Sequence, residues 1–180
     1  MPLASLFRRN RYRPLAHAAY TSIVEQARTP DFFVHLEVPD TLDGRFETIA
    51  LHMFLVLNRL KAEHEASEDF AQALFDAMFA DLDRGLREMG ATDIGVGKRV
   101  KEMATGFYGR IAAYEKGLDG SDQVLSEALK RNLYGTVQPS AQAVAGMIRY
   151  IRSQVRNLAA QPAAAFLNDH IKFEPVTRLS

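Results

Sequence analysis

The stretch G-R-F-E-T-I-A-L-H-M-F-L-V-L-N-R-L over residues 44–60 limits what this chain can fold into more than any other. Phe46, Ile49, Ala50, Met53, Leu57 and Leu60 recur at the three- and four-residue spacing of one helical face. Leu51, Phe54, Leu55 and Val56 carry apolar character around most of the remaining circumference. A helix that is apolar on nearly all sides must be covered on nearly all sides, so this one is predicted to stand at the centre of the molecule. Its apolar run covers residues 49–57, contains His52, and is fenced by Arg45 and Glu47 before it and Arg59 and Lys61 after it. That is too short to cross a bilayer, which takes about 20 residues.

A chain of 180 residues is one domain by length, able to bury about 70% of the surface its unfolded form would expose. There is no cysteine, which removes disulfides, thiolate metal sites and cysteine nucleophiles together and fits a reducing compartment. With 22 basic and 22 acidic side chains the formal charge is zero, so no global field attracts nucleic acid or an anionic membrane. No apolar h-region precedes a small-residue cleavage site, and the protein is expected to stay on the side of the membrane where it is made.

Residues 1–14 hold Arg8, Arg9, Arg11 and Arg13 among Leu3, Leu6, Phe7 and Tyr12, with no acid. This reads as a basic flexible arm, either simply solvated or a contact for acidic lipid headgroups or RNA phosphate. A helix is predicted over residues 15–28, stopped by Thr29-Pro30. Phe32, Phe33, Val34, Leu36 and Val38 then form a connector whose aromatics tuck into the core. After the central helix, Ser67 is placed as the cap of a helix that runs to Met89 and ends at Gly90. Phe70, Leu74, Met78, Leu82 and Met89 give this helix one apolar stripe; Phe75, Phe79 and Leu86 give it a second. Two stripes imply two neighbours, or one neighbour and an open groove.

Residues 93–99 read as a loop feeding a helix to Gly117, with Val100, Met103, Phe107, Ile111 and Tyr114 along one side. Ser121 opens a short helix that Gly135 ends, and Pro139-Ser140 opens the last long one. The organisation is a basic arm (1–14), an all-helical domain (15–160) and a C-terminal tail (161–180). The fold class is all-α: about six helices, antiparallel neighbours, packed around the buried central helix.

Catalytic chemistry finds no support. His17, His35, His52, His64 and His170 share no metal-ligand spacing, and no metal or cofactor is expected. His52 reads as a satisfied core histidine. Gly95-Val96-Gly97-Lys98 lacks the upstream glycine, the following serine or threonine and the preceding strand that a phosphate loop requires. Asp76, Asp81 and Asp83 read as solvated acids or partners for Arg84 and Arg87, and no nucleophile elbow occurs.

The run F-D-A-M-F-A-D-L-D-R-G-L-R-E-M-G at residues 75–90, then Asp93, V-G-K-R-V-K-E-M at 96–103 and F-Y-G-R at 107–110, resembles the ubiquinol-cytochrome c chaperone family. P-D-T-L-D-G-R-F-E at 39–47, I-V-E-Q-A-R at 23–28 and L-Y-G at 133–135 belong to the same resemblance, which covers residues 15–135. It implies an all-helical, non-enzymatic chaperone that tends newly made cytochrome b during assembly of the bc1 complex. It also implies bc1 subunits and a small assembly factor as partners, and a bacterial member at the cytoplasmic face of the inner membrane, peripherally attached. A binder of a nascent membrane protein needs an adaptable apolar surface, which methionine and phenylalanine supply. Phe75, Phe79, Leu86, Met103, Phe107 and Tyr108 are therefore the expected client surface, with Lys98, Arg99 and Lys101 at its margin for acidic client residues or headgroups. A helical lipid or quinone carrier is the alternative, and nucleic acid or ribosome contact is expected only through the arginine arm.

Overall fold

The computed structural model describes residues 3–63, 65–90, 92–167 and 171–176, with residues 3–10, 65 and 66 placed by their backbone alone. These residues contain eight helical segments: α1 (Leu3–Ala27), α2 (Asp31–Val34), α3 (Leu42–Lys61), α4 (Glu65–Glu88), α5 (Asp93–Asp119), α6 (Asp122–Arg131), α7 (Ala141–Ala160) and α8 (Ala163–Leu167). No strand occurs among the described residues. The all-α reading holds, with two single turns, α2 and α8, added to the six helices expected.

Helix α3 is the predicted centre. Thr41 caps it by accepting from the Gly44 amide, and every residue from Phe46 to Val56 is buried. Helices α1, α4, α5 and α7 all lie against it. Consecutive helices double back, while α5 and α7 run alongside α3 in its own direction. Phe54 meets Tyr114 of α5 at 5.4 Å, and His52 and Arg59 meet Tyr150 and the Leu158 carbonyl of α7. Phe32, on α2, is fully buried against His52 and Tyr150, so the connector does tuck an aromatic into the core.

Several boundaries differ from expectation. Helix α1 begins at Leu3 and runs through Pro14, forgoing the bond that the missing N–H would have made. Helix α4 begins before Ser67, whose hydroxyl instead donates to the Leu60 carbonyl at the end of α3 at 2.8 Å. The expected loop at 93–99 is the first two turns of α5. Thr92 caps it by accepting from the Gly95 amide, and Val96 is drawn fully into the interior. Ser121 precedes α6 without a side-chain cap bond, whereas Ser140 caps α7 through the Ala143 amide. Gly90 ends α4 as predicted, at φ +86°.

His52 is fully buried, and burial keeps it neutral. Its Nδ1–H donates to the Thr48 carbonyl at 2.7 Å, and its Nε2 accepts from the Tyr150 hydroxyl at 2.7 Å. The Tyr150 oxygen in turn accepts from the Gln26 amide at 2.9 Å. Burial pushes the imidazole down from 6.5 to about 4.

Two predictions follow from this interior. A Cβ added at Gly44 would sit 1.9 Å from the Pro39 carbonyl oxygen, while one at Gly85 would meet nothing within 4 Å. Gly44→Ala is expected to destabilise by about 1–3 kcal/mol through overpacking, and Gly85→Ala to stabilise by about 0.5–1 kcal/mol, both read from urea midpoints. For His52, the unfolded chain takes up a proton below its ordinary 6.5 while the folded chain resists until about 4. Stability is therefore full above the ordinary value and falls as pH drops through that window, by about 1.4 kcal/mol per pH unit at most. His52→Gln should remove that component, so wild type and variant should converge in stability between pH 7 and pH 4.5, and a constant gap across that range would refute it.

Candidate client surface

Helices α4 and α5 form a long hairpin whose inner ends join the core and whose outer ends leave it. The first α4 stripe is covered: Phe70, Leu74 and Met78 are fully buried, with α1 and α3 as their neighbours. Tyr12 of α1 stacks edge-on against Phe70 at 6.1 Å, and Tyr20 donates to Asp81 at 3.0 Å. The second stripe faces α5. Phe75 lies 4.5 Å from Phe79, 5.7 Å from Phe107 and 5.5 Å from Tyr108, and Phe79 lies 6.5 Å from Phe107. Four of the six apolar residues singled out from spacing thus form one ring cluster.

The cluster is graded in depth. Phe107 is fully buried, Phe75, Phe79, Leu86 and Met103 are half-buried, and Tyr108 is 60% exposed. Further along, Met89 is 58% and Ile94 89% exposed at the corner where the hairpin turns. Met89, the last residue of the first stripe, is thus exposed, and Met78 is the last member of that stripe to be fully buried. Lys98, Arg99 and Lys101 are exposed on the first turns of α5, and Arg99 reaches 4.0 Å from Asp43. Of the arm, Arg11 and Arg13 are exposed on α1, while the side chains of Arg8 and Arg9 lie outside the described residues.

The acids on α4 are taken up in local pairs. Arg84 meets Asp81 at 3.1 Å, Arg87 meets Asp83 at 2.6 Å and also pairs with Asp93, and Gln72 donates to Asp76 at 2.9 Å. Among the described residues no group of three or more histidines and acids is arranged to hold a metal.

One site was missed. A cavity of about 400 Å³ opens between the start of α3, the middle of α5 and the segment after α6, lined by Phe46, Glu47, Met103, Arg110 and Leu133 among others. Arg110 donates to Glu47 through Nε at 2.7 Å and through a second nitrogen, and its guanidinium lies 5.5 Å from the Phe46 ring centroid. The hydrogen bond to Glu47 raises the Arg110 pKa. From the sequence Glu47 reads only as a polar fence before the apolar run of residues 49–57. A carboxylate inside an otherwise apolar helix needs a buried partner, and that is the signal that could have found the pair.

The model of the ubiquinol-cytochrome C chaperone family matches residues 34–173, most of the chain. The chain belongs to that family. Ubiquinol-cytochrome-c reductase complex assembly factor 1 of Xenopus laevis is 29% identical over 139 residues, covering 77% of this chain and 70% of that protein. The Homo sapiens protein of that name is 27% identical, with 77% and 46% covered. Protein CBP3, mitochondrial, of Saccharomyces cerevisiae is 28% identical, with 80% and 44% covered. The chain thus spans about half the length of the human and yeast relatives. The crystal structure of the Cbp3 homolog from Brucella abortus superposes with a TM-score of 0.81 at 35% identity, over 97% of this chain and 98% of that one.

The graded burial predicts graded costs within this chaperone-family surface. Phe107→Ala should destabilise by about 3–5 kcal/mol, whereas the half-buried Phe79→Ala should cost less than half as much. Equal costs in denaturant titrations would place Phe79 in the core and dismiss the open surface.

Proposed function

We propose that this protein is a non-enzymatic assembly chaperone of the ubiquinol-cytochrome c reductase (bc1) complex, and that it holds newly made cytochrome b against the α4–α5 surface. Family membership supports the assembly role, since the relatives are named as assembly factors of that complex. The observation that carries the client site is the ring cluster of Phe75, Phe79, Phe107 and Tyr108, which passes from fully buried to largely exposed along one face. A half-covered aromatic and methionine surface fits apolar segments of varied shape without requiring the chaperone to refold. Lys98, Arg99 and Lys101 beside it supply positive charge for acidic client residues or lipid headgroups at a peripheral membrane position. No helix among the described residues is long and apolar enough to cross a membrane.

A pull-down from detergent-solubilised membranes tests the reading. Wild type should recover cytochrome b, and Phe75→Ala/Phe79→Ala should lose most of it while keeping its helical circular dichroism. Recovery of cytochrome b undiminished by the double change would move the client site elsewhere, and failure of the wild type to recover any bc1 subunit would sink the assembly role.

A further inference from the structure

Residues 171–176 lie extended across α1, α3 and α7, and their main chain is read by side-chain amides. Gln161 donates to the Lys172 carbonyl at 2.7 Å and accepts from the Lys172 amide at 3.0 Å. Two turns back along α7, Gln154 does the same to the next outward residue, donating to the Glu174 carbonyl at 2.7 Å and accepting from its amide at 3.2 Å. Asn157 adds a bond to the Lys172 carbonyl at 2.7 Å, and Gln26 of α1 one to the Glu174 carbonyl at 3.1 Å. The polar groups of both residues' backbones are thereby satisfied as a neighbouring β-strand would satisfy them.

Over residues 171–174 the side chains alternate as on a strand, and Pro175 breaks the alternation so that Val176 turns inward again. Lys172 and Glu174 point outward, with Glu174 also accepting from the Ser153 hydroxyl, while Ile171 and Val176 are buried and Phe173 stacks on His52 at 5.6 Å. A helix surface has no free main-chain groups of its own, so it can read an extended chain only through amide side chains placed for that purpose. Gln154 is fully buried, and a buried amide is tolerated only opposite groups that complete its hydrogen bonds.

We propose that the groove between α1, α3 and α7 is a peptide-binding site that reads an extended main chain, and that residues 171–176 fill it in cis. Its ligand class is an extended peptide with apolar residues at its first, third and sixth positions, the pattern of Ile171, Phe173 and Val176. Among the described residues every polar bond that the groove makes to the segment comes from a side chain, so the segment can leave without breaking a helix, and a second peptide of that pattern can take its place.

The test uses the full chain and a fluorescein-labelled synthetic peptide of residues 169–178. In wild type the groove is already occupied, which weakens binding in trans in proportion to the small open fraction. Phe173→Asp in the protein should release the segment and tighten peptide binding by about tenfold or more. Adding Gln154→Leu to that variant should abolish binding. A folded Phe173→Asp protein that binds the peptide no better than wild type overturns the proposal, as does binding that survives Gln154→Leu. Should Phe173→Asp not fold, hydrogen exchange on wild type decides. The Lys172 and Glu174 amides should exchange by local opening, well ahead of the α7 interior. Exchange of both only through global unfolding makes the segment a fixed part of the core and overturns the proposal.

Discussion

Helix α3 is buried all round from Phe46 to Val56, and three of its polar side chains take a partner from a neighbouring helix. Glu47 is answered by Arg110 of α5, and His52 by Tyr150 of α7. Arg59, near the end of the helix, donates to the Leu158 and Gln161 carbonyls that close α7, and lies over the Phe166 ring of α8. Apolar burial supplies the driving force for the assembly but is non-directional. These three contacts set rotation and register, because a misplaced neighbour would strand a buried carboxylate, imidazole or guanidinium. The parallel course of α3, α5 and α7 follows from that requirement.

The α4–α5 hairpin obeys the opposite rule. Between Met78 and Phe107, Val96 alone is buried among the described residues. The outer part of the hairpin is held by ion pairs that are largely exposed, such as Arg87 with Asp83, and such pairs contribute little to stability. Few buried contacts and many solvent-facing side chains place this part at the low end of the molecule's local stability. The client surface proposed for this hairpin suits that position, since the core can keep its shape while the hairpin adjusts.

The same division shows at the other side of α3. Residues 171–176 join the body through amide side chains and three apolar anchors, beside the buried and hydrogen-bonded His52. Segments that associate through side chains alone can be exchanged; those bonded through their own helical backbone cannot be removed without unfolding a turn.

Much of this was legible in the sequence. The all-α class, the buried course of α3, the stop at Gly90 and the meeting of Phe75, Phe79, Phe107 and Tyr108 all follow from apolar period and glycine placement, which are local properties. The neutral, satisfied state of His52 followed from its position in an apolar run. The extent of α1 through Pro14 and the helical start of α5 did not, because a proline or a pair of glycines is a local penalty that tertiary burial, as at Val96, can outweigh. The Glu47–Arg110 cavity and the cradle of amides around residues 171–176 were invisible for a different reason. They join residues 63 and up to 148 positions apart, and the chemistry of a glutamine, a carboxylate or a tyrosine is undefined until folding decides which groups stand opposite it. The sequence by itself determined which segments become helices and which faces they bury; only the tertiary structure decided which polar groups meet, since hydrogen bonds depend on distances that no local pattern encodes.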